Sequence, residues 1–195
     1  MKAGVTLLLL LFLFGCEHSS QTTLPPVAAA DSTHDTLTSF NVLRIAHLAS
    51  IGTRSDSLHA IDFVWKDSAG KLDSLSNYRG TKVLINFWAT WCPPCQDEIP
   101  DLEAVAHHSG DSIKLIGVAL DDLPPVFQTV RTFANNEGIN YQIVLDSTAV
   151  LFLNYLHLKS GIPQSYILAK DGTVKFVLLG PQSAHTFDSC LARAN

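Results

Sequence analysis

The sequence predicts an α/β sandwich built on a mixed β-sheet. Two unbroken apolar runs, "KVLINFWA" at residues 82–89 and "IKLIGVAL" at residues 113–120, have the pattern of strands covered on both faces in a parallel sheet. Each is followed by a segment with helical spacing, which argues for alternating strand and helix. Near the C-terminus, "SYILAKDGTVKFVLLG" at residues 165–180 reads as an antiparallel hairpin turning on Asp171-Gly172, so the sheet is mixed.

The elements follow in order. Residues 60–80, "AIDFVWKDSAGKLDSLSNYRG", read as two short strands around the turn cluster at 67–70, a β-hairpin extension ahead of the first buried strand. A helix is expected from Pro93 to about His108, kinked by the internal Pro100. The strand at 113–120 ends at Asp121-Asp122, where turn and cap roles account for two carboxylates. "VFQTVRTFANNEG" at 126–138 is a helix with Gly138 as its C-cap. "YQIVLD" at 141–146 is a strand and "TAVLFLNYL" at 148–156 a short helix. After the hairpin, "SAHTFDSCLARA" at 183–194 closes the chain as a helix that contains Cys190.

Composition narrows the function classes. The chain has 195 residues, a formal net charge of -5, 47% hydrophobic and 16% charged residues. That is a globular composition. No Lys/Arg-rich run is present, so the basic footprint of a nucleic-acid binder is missing.

The N-terminus reads as a processing signal. Met1-Lys2 precedes ten apolar-rich residues, "VTLLLLLFLF", then Gly15-Cys16. A bilayer span needs about 20 apolar residues, so this run is too short to cross. Leu13-Phe14-Gly15-Cys16 resembles a bacterial lipobox, which implies cleavage after residue 15 and lipidation of Cys16. Residues 17–40 are rich in Ser, Thr, Pro and Ala without periodicity and read as a tether. The expected organisation is a signal peptide over 1–15, a lipidated tether over 16–45 and a domain over 46–195. Export places the chain where disulfides persist. Without Cys16, three cysteines remain, Cys92, Cys95 and Cys190; an odd number argues against a closed framework of structural bridges.

Cys92 and Cys95 stand in "FWATWCPPCQDEIP", where a structural bridge, half a metal site and a redox pair are all chemically open. The junction after Ala89 lies at the carboxyl end of a central strand, where open α/β sheets place their sites. With Cys92 at the N-cap, Pro93 falls at N1, where its missing N–H is no loss. Cys95 falls at N3, one turn on and on the same face. The helix N-terminus stabilises a thiolate at Cys92. Cys92 is then the attacking sulfur and the deeper Cys95 the resolving one. Pro93 and Pro94 supply no N–H, so the first amide expected to face the Cys92 sulfur is that of Cys95. A less stabilised thiolate means a more reducing couple. Glu98, three residues after Cys95, is placed to exchange protons with it. Trp88 and Trp91 flank the pair and are expected to shape the surface where a partner docks.

"YRGTKVLINFWATWCPPCQDEIPDLEAV" resembles the TlpA/ResA/DsbE group of membrane-tethered, thioredoxin-like thiol-disulfide oxidoreductases, over a span from about Gly52 to the C-terminus. The resemblance implies a thioredoxin-like three-layer sandwich and a redox-active Cys92–Cys95 disulfide. It implies that Glu98 is the acidic proton relay, with Asn86 standing where ordinary thioredoxins carry a buried Asp. Gly161-Ile162-Pro163 fits the group's cis-proline loop. Ile162 and Pro163, with Trp91 and Pro93, would then form the substrate-binding surface. The implied partners are exported thiol or disulfide proteins, apocytochrome c among them, and a membrane electron donor. No nucleic acid, metal or bound cofactor is implied; the chain is expected to be a monomer, lipid-anchored in the periplasm or cell envelope of a bacterium. Two alternatives share the fold. A thiol peroxidase typically carries Thr three residues before its attacking cysteine, where this chain has Ala89. A copper chaperone would use soft thiolates, but such relatives space their cysteines wider and add a distal His.

Overall fold

A computed structural model describes residues 44–53, 58–155 and 161–195. The signal segment, Cys16 and the tether up to residue 43 lie outside the described residues. The strands are β1 (Ile45–Ile51), β2 (Phe63–Asp67), β3 (Leu72–Ser74), β4 (Lys82–Trp88), β5 (Ile113–Ala119), β6 (Gln142–Leu145), β7 (Gln164–Leu168) and β8 (Val174–Leu179). The helices are α1 (Pro93–Ser109), α2 (Val126–Asn136), α3 (Val150–Tyr155) and α4 (Ala184–Arg193).

The eight strands form one sheet in the order β3-β2-β1-β6-β5-β4-β7-β8. Strands β1, β6, β5 and β4 run parallel to one another. Antiparallel pairs flank them, β2 and β3 at one edge and β7 and β8 at the other. The sheet is mixed, as its sequence pattern requires. Strand β1 is the element the sequence does not announce. Only Ile45 and Ala46 are buried in it, and the remaining residues are exposed or half-exposed, so its apolar signal is weak. It joins the β2–β3 hairpin to the other parallel strands.

Handedness sets which helix covers which face. The steps β4 to β5 and β5 to β6 move in one direction between parallel neighbours, so right-handed crossovers put α1 and α2 on the same face. Leu84 and Trp88 of β4 pack there with Ile99, Leu102 and Val105 of α1, Val130 and Ala134 of α2, and Phe187 and Leu191 of α4. Val83, Ile85 and Phe87 point the other way, against Phe63 and Trp65 of β2 and Leu151 and Tyr155 of α3. Alternation of side chains along a strand with both faces covered is why β4 reads as one continuous apolar run. Asn86 is the polar exception, on the α1 face.

Gly117 of β5 pairs with Asn86 of β4 and Ile143 of β6, in the middle of this face. A Cβ there would lie 2.8 Å from Nε1 of Trp88 and 2.9 Å from Cε2 of Tyr141. The two rings fill the space above the glycine, so the position admits no side chain. Gly117→Ala is expected to destabilise the fold by about 1–3 kcal/mol through overpacking. Chemical denaturation of the full-length chain measures this; wild-type stability would mean that the rings shift freely.

Candidate active site

Strand β4 passes through Ala89, Thr90 and Trp91 into α1 with Cys92 as N-cap, in extended conformation at φ -99° and ψ 103°. Pro93 opens the helix. Cys92 and Cys95 are joined by a disulfide with a Cα–Cα distance of 5.3 Å. The two residues differ little in exposure, Cys92 at 4% and Cys95 at 1%. The Cys95 N–H does not face the Cys92 sulfur as expected. It donates to the Cys92 carbonyl oxygen at 3.0 Å, as does the Gln96 N–H at 3.1 Å. The helix cap consumes the nearest amide, which leaves the sulfur with fewer donors than the sequence reading supposed.

The Ile162–Pro163 peptide is cis. The Ile162 carbonyl oxygen lies 3.7 Å from Sγ of Cys92. Among the described residues, neither the N–H nor the C=O of Ile162 takes a backbone partner. Trp91 is 61% exposed, and Pro93 and Pro94 are exposed as well. Ile162 is half-buried and Pro163 is buried. Trp88 is not a surface residue. It is fully buried and packs on Phe133 at 5.6 Å, because β4 alternation turns its side chain under α1.

Glu98 lies behind the disulfide, fully buried. Its Oε2 accepts from Nδ2 of Asn86 at 2.8 Å and its Oε1 from the Gln182 N–H at 2.8 Å. Asn86 Nδ2 also donates to Oγ of Ser165 at 2.9 Å. Desolvation disfavours the charged carboxylate and outweighs both hydrogen bonds, pushing the pKa up from 4.5 to about 7; the nearby Asp101 charge adds to the rise. Glu98 therefore changes charge near neutral pH while one turn from Cys95 on the same helix.

Asp121 departs from its expected turn role. It is 3% exposed, and its Oδ2 accepts from the Thr90 N–H at 3.1 Å. Its Oδ1 accepts from the Thr90 hydroxyl. The sequence signal for it is modest: the first polar residue after a buried strand that ends at the site. The Gln182 amide left no signal at all. Cys190 is a buried free thiol in α4. His107 and His108 are exposed at the end of α1, and Nε2 of His108 lies 2.7 Å from Oδ1 of Asp188. Among the described residues no group of His, Cys, Asp and Glu is placed to hold a metal ion.

Residues 57–177 match the AhpC/TSA family. The chain is 34% identical over 123 residues to sporulation thiol-disulfide oxidoreductase A of Bacillus subtilis, covering 63% of this chain and 73% of that one. It is also 34% identical over 124 residues to the thiol-disulfide oxidoreductase ResA of Geobacillus kaustophilus, covering 62% and 67%. Among solved structures it resembles a thioredoxin-family thiol:disulfide interchange protein from Chlorobium tepidum, with a TM-score of 0.61, 29% identity and coverage of 73% of this chain and 99% of that one.

The raised pKa of Glu98 links stability to pH. Between about 4.5 and about 7 the folded chain binds a proton that the unfolded chain has released. Stability is therefore full below about 4.5 and falls as pH rises through that window. A shift of this size corresponds to about 3 kcal/mol. Denaturation of the oxidised chain across pH should show the loss, and Glu98→Gln should remove most of it; an unchanged pH profile in the variant would refute the assignment.

Proposed function

The chain belongs to the AhpC/TSA family, among its thioredoxin-like thiol-disulfide oxidoreductases, and from that premise we propose that it reduces disulfides of exported proteins. The observation that carries this reading is the Cys92–Cys95 disulfide at the cap of α1, with the Ile162 backbone in front of it and the buried Glu98 behind it.

The cycle balances with these groups. An extended substrate segment lies along Ile162 and cis-Pro163, against Trp91 and Pro93. The Cys92 thiolate attacks one sulfur of the substrate disulfide, and the other substrate sulfur leaves as a thiolate. The Cys95 thiol passes its proton to the Glu98 carboxylate and attacks Sγ of Cys92. The second substrate sulfur leaves, and the two substrate thiolates take up protons. The enzyme dithiol has lost two electrons and become the Cys92–Cys95 disulfide. A membrane electron donor returns them. The dithiol itself carries the electrons, so no bound cofactor enters the cycle.

The direction follows from the cap. Neither Pro93 nor Pro94 has an N–H, and the Cys95 and Gln96 amides serve the Cys92 carbonyl. A thiolate short of donors leaves the reduced form poorly stabilised, which makes the couple reducing. Export and lipid attachment at Cys16 rest on the N-terminal signal; among the described residues no helix is long and apolar enough to cross a membrane. Exported disulfide proteins, with apocytochrome c as one class, are the substrates that suit an outward-facing reductant, and the chain acts as a monomer.

Trapping tests the cycle. Full-length Cys95→Ser, reduced and mixed with a disulfide-bonded protein, is expected to accumulate a mixed disulfide through Cys92, and Cys92→Ser is expected to form none. No adduct in Cys95→Ser would contradict the assignment. Faster consumption of a hydroperoxide than of a disulfide would favour a thiol peroxidase instead. The resolving rate should rise with pH through about 7 as Glu98 loses its proton, and Glu98→Gln should flatten that rise.

A further inference from the structure

The β4–β5 ladder ends at the redox loop. Trp88 pairs with Ala119, and the Leu120 N–H donates to the Trp88 carbonyl at 2.9 Å. Beyond that point β4 leaves the sheet and a side chain takes over the ladder's role. Asp121 accepts from both the N–H and the hydroxyl of Thr90. On the other side, Nε2 of Gln96 from α1 donates to the Thr90 carbonyl oxygen. The Cys92 N–H closes the loop onto the Ala89 carbonyl at 3.2 Å. Every polar group of Thr90 is thus held, by the end of β5 or by the first turn of α1.

Asp121 uses both oxygens as acceptors, as an ionised carboxylate does. Among the described residues it has no Lys, Arg or His partner. Its carboxylate holds Thr90, two residues before Cys92, and Cys92 caps the N-terminus of α1, where the helix dipole favours a thiolate. The other carboxyl groups around the loop are the buried Glu98 and the exposed Asp97 on α1, and the exposed Asp122 beside Asp121.

On the disulfide-exchange reading above, we propose that Asp121 is a positioning residue of the redox site, which clamps Thr90 and so fixes the approach of β4 to Cys92, and whose charge opposes the Cys92 thiolate and keeps the couple reducing. The clamp and the charge are separable. Asp121→Asn keeps an oxygen acceptor for Thr90 and removes the charge. Asp121→Ala removes both. Thr90→Val removes the hydroxyl bond and leaves the charge.

The experiment equilibrates the reduced full-length chain and these variants with glutathione redox buffers and follows exchange with a disulfide-bonded protein. Asp121→Asn is expected to favour the dithiol about tenfold more than wild type, equivalent to about 30 mV toward the oxidising side. Asp121→Ala is expected to show the same shift in equilibrium and, in addition, at least about tenfold slower exchange. Thr90→Val should slow exchange with the wild-type equilibrium, and Asp122→Asn should change neither. If Asp121→Ala does not fold, Asp121→Asn and Thr90→Val carry the two halves of the test. A wild-type equilibrium in Asp121→Asn, or an equal shift in Asp122→Asn, overturns the charge role; wild-type rates in Thr90→Val and Asp121→Ala overturn the clamp. A wild-type chain with no reversible dithiol–disulfide transition overturns the disulfide-exchange reading itself.

Discussion

Strand β4 is hydrogen-bonded on both edges, to parallel β5 and antiparallel β7, and the site depends on that constraint. A strand held on both sides cannot slip without moving all its side chains to the wrong face. Its register therefore fixes three things together. It turns Asn86 under α1, where it meets Glu98. It lays Trp88 into the core over Gly117. It delivers Thr90 to Asp121 at the end of the neighbouring strand. Cys92 emerges from this rigid rail directly into a helix cap, so the reactive sulfur sits on scaffold at both ends.

The energetics of the site are a balance between a dry environment and the charges chemistry needs. Burial favours the neutral form of Glu98. The Asn86 and Gln182 donors pull the other way, and the outcome is a group that changes charge near neutrality. Cys92 is poised in the same manner. The N-terminus of α1 favours its thiolate, while the proline pair, the amides tied to its own carbonyl and the nearby Asp121 carboxylate oppose it. A pair so poised gives up electrons more readily than one with amides aimed at its sulfur.

The parts of this arrangement that were legible in the sequence are the local ones. The N-cap, the N1 proline and the spacing of Cys95 and Glu98 all lie within two helical turns of Cys92, and helical periodicity alone relates them. The buried strands were legible because coverage on both faces removes alternation. What stayed hidden depends on distant partners. The amide that holds Glu98 comes from 84 residues away and leaves no side-chain signature. Asp121 reads as a turn residue because its partner, Thr90, lies 31 positions earlier, in the loop after β4. Strand β1 has no such signal, because its pairing with β2 and β6 is made by backbone groups and a mostly exposed strand has little apolar pattern to show.

A reducing Cys92–Cys95 couple is tested by the midpoint potential of the full-length chain in detergent, titrated with dithiol–disulfide buffers and followed by tryptophan fluorescence. The expected result is a reversible two-electron transition near the thioredoxin range, about -270 mV. A midpoint near about -120 mV, the range of strong oxidants, or the absence of any reversible transition, would contradict it.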